Sequence, residues 1–180
     1  MTKYRFIPPI MNRSTKLFDI MDENENRVGE MQRYFTFGGQ NFISMIINMA
    51  HVRVNDLSND VSLDFKERSL IKNFLFNKWD VLYSSNKKVE KFELIDKTKI
   101  KTNQRIIYTI EDRNMEVKSE ILDRITRFYK MVEGKSYLVA EVSYKKIIPP
   151  VTYTMELFDE SIHVCEIAGV YYLMQLNGSD

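Results

Sequence analysis

At 180 residues and 21.4 kDa the chain is the size of one ordinary domain, with 44% hydrophobic and 28% charged residues but only six glycines and four prolines. That composition excludes a disordered tail, a collagen-like fibre and a Gly/Ser linker, and it requires one packed core. Twenty-six Lys and Arg against 25 Asp and Glu leave a formal charge of +1, too balanced to hold nucleic acid or a polyacidic partner by bulk charge, so any electrostatic function is local. One cysteine and two histidines exclude an internal disulfide framework and a Cys/His structural zinc site assembled from one chain.

The opening MTKYRFIPPI lacks an apolar run followed by a small-residue cleavage site, and the expectation is a cytoplasmic protein. The glycosylation tripeptides Asn12-Arg13-Ser14 and Asn177-Gly178-Ser179 are then chance matches. Period-two alternation follows through most of the chain, the pattern of strands with one wet and one dry face. Residues 16–21 and 27–35 flank Asp22-Glu23-Asn24-Glu25-Asn26, whose Asn and Asp side chains favour tight turns, and predict a hairpin. Further strands are predicted at 80–84, 91–95, 104–111, 114–119, 121–132, 136–146 and 152–157, bounded by turn chemistry such as Glu133-Gly134-Lys135. Short strands on short connections leave no room for crossover helices and point to an antiparallel barrel or sandwich.

Two stretches break the alternation. Residues 41–49, after Gly38-Gly39, and residues 64–79, with Leu70, Ile71, Phe74, Leu75 and Trp79 among charged neighbours, fit helix and strand spacing equally and stay open. No linker and no repeat divides the chain, since Ile148-Pro149-Pro150-Val151 is too short to separate domains, and 1–180 is read as a single domain. After Asp159-Glu160-Ser161, which supply N-cap and first-turn acids, the residues from Ile162 to Leu176 leave almost no polar face. A helix apolar all round must be enclosed, and about fifteen residues fall short of the ~20 that span a bilayer, so a central helix at 160–176 is predicted inside protein, with no transmembrane span. Gly169 in its middle predicts a close approach by a neighbouring group.

The hairpin Phe18-Asp19-Ile20-Met21-Asp22-Glu23-Asn24 with Val28-Gly29-Glu30, the run from Tyr137 to Lys146, then Thr152-Tyr153-Thr154-Met155-Glu156-Leu157 and the closing apolar helix together resemble the tubby C-terminal-like superfamily, which includes the LURP-one-related proteins and the phospholipid scramblases. The resemblance spans residues 16 to 176 and is to a bacterial member. It implies a mainly β fold: a closed antiparallel barrel of about twelve strands around a hydrophobic C-terminal helix. It also implies phosphoinositide or membrane-phospholipid binding of the kind attributed to the eukaryotic relatives. The chain lacks the Pro-rich region, Cys-rich cluster and membrane span of scramblases, so lipid movement is not implied.

Three constellations compete for a chemical role. Asp22, Asn24 and Asn26 have the first spacings of a calcium loop, but Arg27 replaces its glycine and Arg33 its bidentate glutamate, so a turn is expected and no metal. His163, Cys165 and Glu166 contain the types of an activated thiol, yet residues two apart on a helix diverge and a thiol within an apolar run is inert packing. Residues 86–105 hold Lys87, Lys88, Lys91, Lys97, Lys99, Lys101 and Arg105 against three acids; with Lys145 and Lys146 they form the candidate ligand-binding set, although Lys-rich strands also serve as solvated faces and edge protection. No nucleophile with its base and no phosphate loop is visible, so no catalytic residue and no cofactor is assigned. The expectation is a non-enzymatic monomeric binding or sensing module, cytoplasmic or peripheral at a membrane, whose partner is an anionic phospholipid surface or a protein and not nucleic acid. The alternative is a structural or regulatory protein–protein interaction protein without a small-molecule ligand.

Overall fold

The computed structural model of the chain describes residues 1–11, 13–35, 51–58, 60–68, 77–99, 103–120, 123–146 and 148–177. In chain order it contains β1 (Thr2–Phe6), β2 (Phe18–Asp22), β3 (Arg27–Tyr34), β4 (His51–Asp56), β5 (Val61–Glu67), β6 (Lys78–Ser85), β7 (Lys88–Asp96), β8 (Asn103–Ile110), β9 (Arg113–Glu120), β10 (Ile125–Val132), β11 (Lys135–Tyr144), β12 (Tyr153–Leu157) and α1 (Val164–Asn177). Every strand pairs antiparallel with its sequence neighbour, and β1 also pairs with β12, from Thr2 with Leu157 to Phe6 with Tyr153. The ladder therefore closes into a twelve-stranded up-and-down barrel, which removes the exposed sheet edges of an open fold. Two seams are short: β1 and β2 pair over Tyr4–Asp22, Arg5–Met21 and Phe6–Ile20, and β7 and β8 over Leu94–Tyr108, Ile95–Ile107 and Asp96–Ile106.

Alternation sets the inside. Along β5, Val61, Leu63, Phe65 and Glu67 are buried while Ser62, Asp64 and Lys66 face out, and β3 directs Gly29, Met31 and Arg33 inward in the same way. The lumen is filled by α1, whose residues from Val164 to Met174 are all buried. At ~1.5 Å per residue the helix spans about 21 Å, enough to run through the barrel from the end where β12 finishes to the other. An apolar strand face on every side explains why α1 needs no polar stripe.

Gly169 marks the tightest contact. A Cβ there would lie 2.5 Å from Phe65 Cε2 and 2.9 Å from Val54 Cγ2, so glycine lets α1 sit against β4 and β5, as the sequence implied. Gly29 allows a close approach within the sheet, where a Cβ would lie 2.8 Å from the Asn55 carbonyl oxygen on β4, with Cys165 Sγ of α1 at 3.4 Å.

The structure corrects several sequence expectations. The helix begins at Val164, not near 160: Asp159 Oδ1 accepts the Ser161 N–H at 2.9 Å to close a turn, and the N-cap position falls to His163, whose Nδ1 accepts the Cys165 N–H at 3.2 Å. β1, β4 and β5 were not predicted, because 2–6 and 51–56 are short and 61–67 overlaps the ambiguous stretch. Residues 64–67 and 78–79 of that stretch are strand, while 69–76, like 41–49, lie outside the described residues.

The two barrel ends differ in their connections. At one end β6–β7, β8–β9 and β10–β11 turn over two residues, Asn86-Lys87, Glu111-Asp112 and Glu133-Gly134, each pair with positive φ at both positions, the conformation that matches the right-handed strand twist. At the other end the connections include 7–17, 35–50, 68–77, 97–102 and 145–152. Long connections on a rigid barrel are where binding residues concentrate.

Candidate functional site

Charge follows the same division. Among the described residues of the long connections and of 121–124, which lies at the same end, Arg13, Lys16, Arg68, Lys97, Lys99, Arg124, Lys145 and Lys146 are basic and Asp123 alone is acidic. The connections at the turn end hold Glu23, Glu25, Asp60, Glu111, Asp112, Glu133, Asp159 and Glu160 against Lys87. The formal charge of +1 thus conceals connections that are basic at one end and acidic at the other. Three acids at the basic end are engaged locally: Asp19 pairs with Arg27 at 2.8 Å, Asp123 with Arg127, and Asp96 Oδ1 accepts the Thr98 N–H at 2.8 Å, while Glu120 at the end of β9 is exposed.

This arrangement sorts the lysines singled out in the sequence. Lys97 and Lys99 sit at the basic end, as do Lys145 and Lys146 beyond β11. Lys87 and Lys88 lie at the acidic end, separated from Lys97 by the length of β7, roughly 30 Å. Lys91 points outward midway along β7, Arg105 on β8 is paired with the buried Glu116, and Lys101 lies outside the described residues. The run 86–105 therefore does not form one basic face; it contributes its Lys97–Lys99 segment to an end whose other cations the sequence reading passed over, namely Arg13, Lys16, Arg68 and Arg124. Arg124 also orders the site, donating from Nη1 to the Lys145 carbonyl oxygen at 3.3 Å.

Beside these cations the basic end exposes apolar side chains. Connection 7–17 continues β1 and connection 145–152 precedes β12, the strand that pairs with β1, so the two emerge side by side. They share a groove of about 760 Å³ lined by 7–11, Ser14, 16–19 and Pro150. Ile10, Met11 and Ile148 are 69%, 73% and 80% exposed. Lys16, Lys145 and Lys146 are exposed and form no ion pair with a described residue. The sequence signal was present but unread: all four prolines of the chain, Pro8, Pro9, Pro149 and Pro150, lie in these two connections.

The other constellations are structural. Asp22 Oδ1 accepts the N–H groups of Asn24 and Asn26 at 2.9 and 2.8 Å, and the Asn26 side chain donates to Oδ2, which holds the Asp22 carboxyl below the usual carboxylate range. Those oxygens close the β2–β3 turn. Burial pushes the Cys165 thiol up to about 12, far from a reactive thiolate. Burial also pulls the His163 imidazole down, opposed by Asp56 across 3.9 Å. Glu166, fully buried on α1, accepts from the Tyr108 hydroxyl at 2.8 Å and from Arg113 Nη2 at 3.1 Å; burial raises its carboxyl and the Arg113 charge opposes that rise. Two flank grooves, of about 490 and 610 Å³, are lined by charges already paired across them, Arg105 with Glu116 and Arg68 with Asp80 and Glu93. Among the described residues no helix is long and apolar enough to cross a membrane, and no group of His, Cys, Asp and Glu is placed to hold a metal ion.

No curated protein and no solved structure matches the chain. The family described as Tubby C-terminal like domain matches residues 4–177, nearly the whole length. Domains of that family act as binding modules for lipids or proteins rather than as enzymes. A closed twelve-stranded barrel with one buried C-terminal helix is the architecture such a match implies, and on fold and family match together the chain belongs to the Tubby C-terminal-like domain family.

Proposed function

We propose that this chain is a non-enzymatic binding module that docks its basic end on anionic phospholipid surfaces. The observation that carries the reading is the segregation of charge between the connections: eight basic side chains against Asp123 at one end, Arg68 among them already paired with Asp80 and Glu93, and eight acids against Lys87 at the other. A cation near an anionic leaflet contributes about 1 kcal/mol, so three or four facing lysines supply a reversible attraction, weakened as salt shortens the Debye length to about 8 Å at physiological ionic strength. Lys16, Lys97, Lys99, Lys145 and Lys146 are the residues assigned to headgroup contact. Lys87, Lys88, Lys91 and Arg105 face elsewhere and are left out of it.

Co-sedimentation with phosphatidylcholine vesicles and with an equimolar mixture of phosphatidylcholine and phosphatidylserine tests the reading. The protein is expected to pellet with the mixed vesicles only, to release as salt is raised, and to bind at least tenfold more weakly as the Lys145→Glu/Lys146→Glu variant. Equal binding to both vesicle types, or none to either, would overturn it.

A further inference from the structure

We infer that the basic end does more than rest on headgroups: connections 7–17 and 145–152 form an apolar tip that inserts between the lipids, with Ile10, Met11 and Ile148 as the inserted side chains. This rests on the lipid reading above and adds to it the residues and the depth of contact. Large aliphatic side chains on a loop tip gain nothing from water, and the three named here are among the most exposed in the described chain. Ile7 and Leu17 widen the same patch at 49% and 41% exposure. A run of apolar residues on adjoining loops, rimmed by cations, is the composition of an interfacial anchor, which buries its apolar part about 5–10 Å into the headgroup and acyl boundary.

Two features fit a lipid occupant rather than a protein groove. The charge is one-signed: neither 7–17 nor 145–152 contains an acidic residue, and Lys16, Lys145 and Lys146 flank the apolar positions on both loops. Asp19, the one acid lining the groove, is paired with Arg27 at 2.8 Å. The backbone is also adapted. Pro8, Pro9, Pro149 and Pro150 have no N–H to strip of water, and unpaired N–H groups are what make irregular loops costly at membrane depth. Met11 adds to this by offering its carbonyl oxygen to the Ser14 N–H at 2.9 Å, which closes the loop tip on itself.

The test uses introduced tryptophans, because the chain's only Trp, Trp79, is fully buried and serves as an internal reference. Met11→Trp, Ile148→Trp and, at the acidic end, Val132→Trp are each mixed with phosphatidylcholine/phosphatidylserine vesicles carrying bromine on the acyl chains. Emission from Met11→Trp and Ile148→Trp is expected to shift to the blue and to lose at least half its intensity on docking, while Val132→Trp is unchanged. If the variants co-sediment but Met11→Trp and Ile148→Trp stay unquenched, docking is confined to headgroups and the inserted tip is refuted while the lipid reading stands. Quenching of Val132→Trp in place of the other two refutes the assigned orientation. Failure of all three to co-sediment removes the lipid reading and the tip together.

Discussion

Glu166 is the residue least expected from the sequence around it. It stands in an otherwise apolar helix and is fully buried, and its tolerance comes from Tyr108 and Arg113, which face it across the lumen from β8 and β9. A carboxylate transferred from water to such a site costs several kcal/mol unless paired, so removing the partner is worse than removing both charges. Arg113→Met is expected to destabilise the fold by about 3 kcal/mol at neutral pH. The sign of the pH dependence follows from the direction of the shift. Burial holds the folded-state carboxyl of Glu166 above its ordinary value, and loss of Arg113 raises it further, so the native state binds the proton more tightly than the unfolded chain. Stability is then lost as pH rises through that interval and recovered as pH falls. Urea unfolding of Arg113→Met should therefore show the smallest loss at mildly acidic pH, and adding Glu166→Gln should restore much of the loss at neutral pH. A pH-independent loss would argue against the buried charge as its cause. Nothing local in the sequence pairs Glu166 with residues more than fifty positions away, and only the register of β8 and β9 brings them together.

At the scale of elements the helix and the strand that receives it explain each other. Gly169 is a poor helix former, and in isolation Gly169→Ala would gain about 1 kcal/mol. Inside the barrel the added methyl would meet the Phe65 ring at 2.5 Å, and Phe65 is itself enclosed in the core. Overpacking of that kind costs typically 1–3 kcal/mol, so the packing term wins and Gly169→Ala is expected to lower Tm by several degrees. A Tm unchanged or raised would mean that α1 shifts freely in the lumen. The alternation of β2, β3, β6 and most later strands was legible because each has one wet and one dry face. The helix was legible too, because no surface helix could carry Ile162 to Leu176. Its start was not: Asp159 and Ser161 have the chemistry of a cap, yet they spend it on a turn, since the chain must first round the barrel rim before entering the lumen.

For the molecule as a whole the barrel acts as a sorter of charge. Antiparallel strands send alternate connections to opposite ends, so a sequence whose basic and acidic connections alternate becomes a particle with two unlike poles. Only the basic pole is assigned to the membrane, which makes the effect of added charge position-dependent. Glu133→Lys/Glu160→Lys, at the acidic end and held away from the bilayer by more than a Debye length, should leave vesicle affinity within about twofold, although it changes net charge by the same amount as Lys145→Glu/Lys146→Glu in the opposite direction. A tenfold gain from the acidic-end variant would show that bulk charge governs binding.

The sequence by itself determined the class of fold. Period-two alternation, short turns and one helix apolar on every face leave a barrel filled by its own C-terminal segment as the arrangement that buries all of them. What only the tertiary structure decided is where the charges and loops meet. Lys87 and Lys97 are ten residues apart and belong to opposite poles, because an extended strand carries the chain the full height of the barrel. Connections 7–17 and 145–152 are far apart in sequence and emerge side by side, because β1 closes the barrel against β12. A local charge count reads neighbours along the chain; a binding surface is made of neighbours in space, and closure of the barrel is what converts one into the other.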